Sequence, residues 1–346
     1  MALGLQKLFY RLGLGSKINI LFSSSISLKL FLSIVFCLMI VYLSIRGIEF
    51  NIIEQKFSQI DLFYLSIAFL LFLFIVVLRI YRLWLLVSQL KKISIKEIAL
   101  AHNVGFLIVV LLPFRLGEYY RSYLIAQKMD KSTHAILPVV ILERSADVLV
   151  ILIILMVTFI HYSIPLFGKL FLFGVPALLI LLGIFCFNKY FLNSVNFLNH
   201  ISFYEKFLKA LSEFKMGMSQ LSTIKVIIKS FLITTVIWVI TVVAIYFLLR
   251  GTQVCTDIYG ASLVLVVTIF GISVPTSPAF LGNFQFASMS ALIYLNINKS
   301  EAFFFANVYY VIAVGTYVIL GCVCLPFVNI SNQWWMQINQ KRVLKN

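Results

Sequence analysis

Apolar runs of about 18 residues or more recur from Leu28 to Phe327, each long enough as a helix to cross a hydrocarbon core of roughly 30 Å. No soluble domain of ordinary size fits between them. Composition agrees: of 346 residues, 62% are hydrophobic and 12% charged, against roughly 45–50% and about 25% in ordinary soluble domains. The chain is expected to be an all-α polytopic membrane protein, with residues 1–346 forming a single integral-membrane domain.

Charge sets the direction of the crossings. The formal net charge is +16, but the basic residues fall in short loops and tails rather than in a folded patch, so nucleic acid is not an expected partner. They cluster in the N-terminal tail (Lys7, Arg11, Lys17, Lys29), at Arg79 to Lys96, in an amphipathic connector over 188–228, and at Lys341, Arg342 and Lys345. The positive-inside rule assigns all four to the cytoplasm and places the chain in the plasma (inner) membrane with both termini cytoplasmic. The first span lacks a small-residue cleavage site after it, which makes it an uncleaved anchor. Five cysteines sit mostly in apolar segments and four histidines form no ligand-spaced cluster, so no disulfide framework, metal site or cofactor is expected.

Candidate crossings are 28–46, 61–78, 134–160, 167–187, 229–249 and 303–328, about six in all. Two further apolar stretches, 98–129 and 259–298, are broken near the middle by Pro and Gly. The chain is inside at Lys96 and must be inside again at His134, so 98–129 enters and leaves on one side. By the same count 259–298 starts and ends outside. Each is therefore expected to be a re-entrant helical hairpin, because irregular backbone at membrane depth persists only where protein or a wet cavity surrounds it.

The two hairpins resemble one another. The first runs Pro113-x-x-x-Gly117-Glu118 and then, after a helical stretch, "KSTHAI" from Lys131. The second runs Pro278-x-x-x-Gly282-Asn283 and then "KSEAFF" from Lys299. Each is preceded and followed by a crossing, with opposite senses, so 61–160 and 229–328 are expected to be the halves of an inverted repeat with broken helices meeting near the midplane.

Their chemistry differs. "LLPFRLGEYYRSYL" (Leu111 to Leu124) places Arg115, Glu118 and Arg121 on an i, i+3, i+6 line, and the next crossing carries "ERSAD", with Glu143, Arg144 and Asp147 at a similar depth. Six charges near a bilayer centre, each costing at least about 2.5–3.5 kcal/mol on insertion scales, must face one another or water. They either lock hairpin to helix as ion pairs, or leave an arginine free to hold a phosphate through its planar fork, and both roles are compatible. The second hairpin supplies Pro275, Thr276, Ser277, Pro278, Gly282, Asn283 and Gln285 without charge. A helix restarting at Phe280 would point backbone N–H groups at an anionic head group, or the segment is a polar kink satisfied by its neighbours.

On "PFRLGEYYR" (Pro113 to Arg121), "ERSAD" and "PTSPAFLGNFQ" (Pro275 to Gln285), over nearly the whole chain in layout, the sequence resembles the integral-membrane family that includes the flippase domain of lysylphosphatidylglycerol synthase-type proteins. The resemblance implies a pore around two re-entrant hairpins and, for some members, lipid translocation. The soluble synthase domain of the two-domain relatives has no counterpart here. Pro278-Ala279-Phe280 and Gln285 stand where the family tends to Pro-Gly-Gly and a later Glu, so no proton-coupled or cation-binding role carries over to the second hairpin. The expected activity is movement of a phospholipid or polyprenyl-phosphate-linked lipid between leaflets, without enzymatic chemistry. Alternatives are an intramembrane enzyme on a lipid phosphate and a non-transporting accessory subunit. Expected partners are membrane lipids with an anionic or phosphate head group, then a second copy of the chain or a lipid-modifying enzyme.

Overall fold

Short polar residues at the ends of the apolar runs start the long helices. Asp61 accepts the Phe63 N–H at 2.9 Å and opens α2 (Leu62–Val87). The Ser132 hydroxyl accepts the Ala135 N–H at 3.2 Å at the head of α5 (Thr133–His161). Asn298 accepts the Ser300 N–H at 2.8 Å and opens α9 (Lys299–Cys324). Each of these side chains satisfies an amide that the first helical turn leaves unpaired. The computed structural model describes Met39, Tyr42, residues 44–111, 116–163, 224–273 and 278–328, and most of 212–221. Every regular element among them is helical, and the protein is an all-α polytopic membrane fold. The remaining helices are α1 (Phe50–Ser58), α3 (Ile95–Leu111), α4 (Leu116–Met129), α6 (Ile224–Gly251), α7 (Ile258–Ser273) and α8 (Asn283–Tyr294).

Among the described residues, Leu62–Val87, Ile224–Gly251 and Lys299–Phe327 are long and apolar enough to cross a membrane. Helix α5 has 29 residues, but its first half carries the "ERSAD" charges. Helices α3, α4, α7 and α8 have 17, 14, 16 and 12 residues, short of the roughly 20 that a crossing needs. They form two antiparallel pairs at close range. A Cβ added to Gly117 would lie 2.3 Å from both the Gly105 carbonyl oxygen and the Val109 nitrogen, and one added to Gly271 would lie 2.4 Å from the Ala287 Cβ. Small residues let the two backbones touch, as is usual between helices in lipid.

Helix α2 packs on α6 at the centre. Each hairpin leans on the helix that follows it, α4 on α5 and α8 on α9, while its first arm crosses to the other half, α3 on α9 and α7 on α5. One apolar core, around Ile75, Ile245, Leu248 and Phe305, joins α2, α6, α7, α8 and α9, and a second, around Leu83, Ile98, Ile125 and Ile136, lies beneath the first hairpin.

Two expected boundaries move. The crossing expected over 61–78 continues as helix to Val87. Arg79 and Arg82 thus belong to α2 rather than to a cytoplasmic cluster, because "VVLRIYRLWLLV" keeps its apolar spacing past both arginines. The helix expected to restart at Phe280 begins at Asn283. Ala279, Phe280 and Gly282 have φ of 56°, 59° and 79°, left-handed values that a helix does not continue through. Most of 28–46, all of 167–187, most of the 188–228 connector, and Pro113, Arg115, Pro275, Thr276 and Ser277 lie outside the described residues.

Candidate functional site

Arg82 lies five residues from the end of an apolar helix and is 3% exposed. A cation so placed requires partners from other helices, and it has them. Its Nη1 donates to Asp147 Oδ1 and to Thr234 Oγ1, both at 2.7 Å, and its Nη2 lies 3.3 Å from Glu143 Oε1. Thr234 Oγ1 accepts this bond and donates its own proton to the Ser230 carbonyl at 2.8 Å. Trp238, one turn further along α6, donates its indole N–H to Asp147 at 3.1 Å.

The first hairpin docks on the same carboxylates. Arg121 of α4 donates to Glu143 Oε2 at 2.7 Å, while Glu118, one turn earlier, accepts Arg144 through Nη2 at 2.7 Å and Nε at 3.3 Å, a two-pronged pair. Arg144 Nη1 also reaches Asp147 Oδ2 at 3.4 Å. Charges from α2, α4 and α5 therefore form one network, fastened to α6 by Thr234 and Trp238. Two parts of it differ in burial. Arg82, Arg121, Glu143 and Asp147 are all at most 4% exposed, whereas the side chains of Arg144 and Glu118 are 35% and 22% exposed.

The exposed part faces a cavity of about 240 Å³. Arg79, Glu118, Arg144 and Asp147 line its charged end, and the rest of its wall is largely apolar, with Phe72, Ile151, Leu265 and Tyr309 from α2, α5, α7 and α9. Phe280 and Phe284 of the second hairpin also line it. Arg79 is held there by aromatic faces. Its Cζ lies 5.4 Å from the centre of a Trp238 ring and 5.9 Å from that of Phe106, within the reach of a cation–π contact.

Of the residues singled out in the sequence, Glu118, Arg121, Glu143, Arg144 and Asp147 meet in this network; Glu118, Arg144 and Asp147 line the cavity, and Arg121 and Glu143 do not. Gly117 is the contact point of α4 with α3. In the second hairpin, Gln285 turns back on its own helix, its Oε1 accepting the Gly282 N–H at 2.9 Å. Asn283 and Gln285 are buried away from the cavity wall, and Pro278 opens the short turn before Gly282. The Tyr310 hydroxyl pins that turn by donating to the Ala279 carbonyl at 2.9 Å. Sequence reasoning passed over Arg79, Arg82, Thr234 and Trp238. The available signal was Arg79 and Arg82 at i, i+3 inside an unbroken apolar run, and the i, i+4 spacing of Thr234 and Trp238 on the next long helix.

A second polar knot sits at the opposite ends of α5 and α7. Asp257 Oδ1 accepts the Tyr162 hydroxyl at 3.0 Å and the Gly260 N–H at 2.7 Å, and Oδ2 lies 3.2 Å from His161 Nε2. The His161 ring stacks on Tyr259 with centroids 3.8 Å apart. Partial burial pushes the Asp257 carboxyl up, but the Gly260 amide, the Tyr162 hydroxyl and His161 together hold it below its ordinary range. Burial and the neighbouring Asp257 push the Tyr162 phenol up to about 12.

Neither the curated proteins nor the solved structures include a match to this chain. Residues 27–321, by contrast, match the family described as the lysylphosphatidylglycerol synthase TM region, and the charged network and both hairpins lie inside that match. The protein belongs to the lysylphosphatidylglycerol synthase transmembrane-region family.

Proposed function

We propose that the protein moves a phospholipid or a polyprenyl-phosphate-linked lipid between leaflets, with the head-group phosphate held by arginines at the charged end of the cavity and the chain against its apolar wall. The observation that carries this reading is the lining of that cavity: Arg79 and Arg144 beside Glu118 and Asp147, and mostly aromatic and aliphatic side chains over the rest. A soluble metabolite would leave most of such a wall unused, whereas a lipid matches both ends. Arg144 suits a phosphate because its guanidinium is planar and partly exposed while Glu118 orients it. Arg121, buried and paired with Glu143, is assigned to holding the hairpin in place.

The two halves, 61–160 and 229–328, are read as an inverted repeat. Supporting this, the set of packed pairs is unchanged when α2, α3, α4 and α5 are exchanged for α6, α7, α8 and α9: α3–α4 becomes α7–α8, α4–α5 becomes α8–α9, and α3–α9 becomes α7–α5. Two re-entrant hairpins opening to opposite sides would give a head group a gated path from each leaflet.

The test is leaflet exchange in reconstituted vesicles with a panel of fluorescent phospholipids and polyprenyl phosphates. The expected result is exchange of chemically unchanged lipid, reduced in Arg144→Lys, which keeps the charge and loses the fork. Exchange no faster than in protein-free vesicles overturns the reading, as does accumulation of a chemically altered lipid.

A further inference from the structure

Arg79 is out of balance with its surroundings. Arg82, Arg121 and Arg144 are matched by Glu118, Glu143 and Asp147, all within 3.4 Å of an opposite charge. Arg79 brings a fourth guanidinium to three carboxylates. Its Nε is buried without a hydrogen-bond acceptor, and among the described residues it takes part in no ion pair. Of the chain's 12 acidic residues, Glu205 alone lies outside the described residues, so few carboxylates remain to supply the balance. What Arg79 has instead is two aromatic faces and a place on the cavity wall.

A cation next to hydrocarbon without an anion is costly, and aromatic faces recover only part of that cost. The anion has to come from the occupant. Trp238 makes the arrangement selective, because the ring beneath Arg79 also donates its N–H to Asp147. Asp147 gives its oxygens to Arg82, Arg144 and Trp238, and among the described residues no ion pair joins it to Arg79.

We propose, on the basis of the lipid-transport reading above, that Arg79 is the seat of the head-group phosphodiester and that the site takes lipids of net negative head group in preference to zwitterionic or aminoacylated ones. One unmatched guanidinium fits one phosphodiester monoanion. A head group that also carries an ammonium would bring its positive charge to a cluster of four guanidiniums and three carboxylates, already in cationic excess.

The experiment is native mass spectrometry of the full chain in detergent, offered an equimolar mixture of phosphatidylglycerol, phosphatidylcholine and aminoacylated phosphatidylglycerol. The wild type is expected to retain phosphatidylglycerol about tenfold over either competitor, the scale of one charge-assisted hydrogen bond. Arg79→Gln is expected to erase the preference, and Arg79→Lys to keep part of it. Unchanged preference in Arg79→Gln, or strongest retention of the aminoacylated lipid by the wild type, overturns the assignment. If Arg79→Gln is not monodisperse, Arg79→Lys decides: reduced retention supports the proposal and equal retention overturns it. Millimolar glycerol phosphate displacing the lipid as well as phosphatidylglycerol does would assign the seat to a soluble anion, against the proposal. Leaflet exchange measured on the same preparations separates the two claims. Selective binding without exchange removes transport and leaves Arg79 as the anion seat, while exchange indifferent to Arg79→Gln does the reverse.

Discussion

The first hairpin satisfies its charged side chains across the molecule; the second satisfies Gln285, Ser288 and Ser273 within about a turn of where they stand. Glu118 and Arg121 find partners 26 and 22 residues away on α5, Arg144 and Glu143, and Glu143 is shared with Arg82, which also reaches Asp147 across 65 residues. In the second hairpin, Gln285 caps the helix three residues back, and Ser288 and Ser273 return their hydroxyls to carbonyls four residues earlier. The difference follows from charge. A hydroxyl or amide in lipid can be satisfied by its own helix, but a guanidinium needs a carboxylate, and Arg82 and Arg121 have theirs on another helix. The neutral hairpin is consequently held by close packing and by neutral contacts such as Tyr310 to Ala279 and Thr158 to Ser262, and the charged one by a network shared among four helices.

The largest break in this contrast should come from Arg82→Leu. It strips two buried carboxylates of a partner and is expected to destabilise the detergent-solubilised protein by about 3–5 kcal/mol, read as a fall in the thermal unfolding midpoint. An effect below that of the changes described next would mean that the network does not hold the fold. Gly117→Ala and Gly271→Ala come second, each at about 1–3 kcal/mol from overpacking. Gly117→Ala is expected to be the worse, since its methyl meets backbone on both sides where that of Gly271→Ala meets a side-chain methyl; equal midpoints would refute the ordering. Gln285→Ala tests the neutral hairpin by removing a helix cap, at about 0.5–2 kcal/mol, with leaflet exchange reduced no more than stability accounts for. Smallest is the pH effect of Asp257. Its folded-state pKa is depressed, so its contribution is present above the ordinary value of 3.8 and fades as pH falls through the lower folded value. Asp257→Asn should lower the thermal midpoint slightly at neutral pH, leave it little changed below the folded value, and so flatten the acid slope of a stability profile.

Much of the site was legible because charge in an apolar run is conspicuous. Glu118, Arg121, Glu143, Arg144 and Asp147 stand out as charges in apolar runs, and helical rise alone brings their two segments to one depth. Arg79 and Arg82 were hidden by the same rule that oriented the chain. They lie next to Lys91, Lys92 and Lys96, and a count of basic residues assigns a loop to all of them, although the apolar spacing to Val87 argues for helix. Thr234 and Trp238 were hidden differently. A threonine and a tryptophan in a crossing helix are ordinary, and nothing local says that they face an aspartate 91 residues away from Trp238.

The sequence by itself determined that the protein is helical and membrane-embedded, because apolar length and backbone hydrogen bonding in lipid allow little else. It also determined where two helices break, because Pro, Gly and left-handed backbone are local properties. Only the tertiary structure decided which arginine is matched and which is not. Pairing between buried charges depends on distances between helices far apart in the chain, and the electrostatic energy of a buried charge changes steeply over a few ångströms. Arg79 and Arg82 sit one turn apart in nearly the same local sequence, yet one is ringed by carboxylate and hydroxyl and the other by aromatic faces and an open cavity.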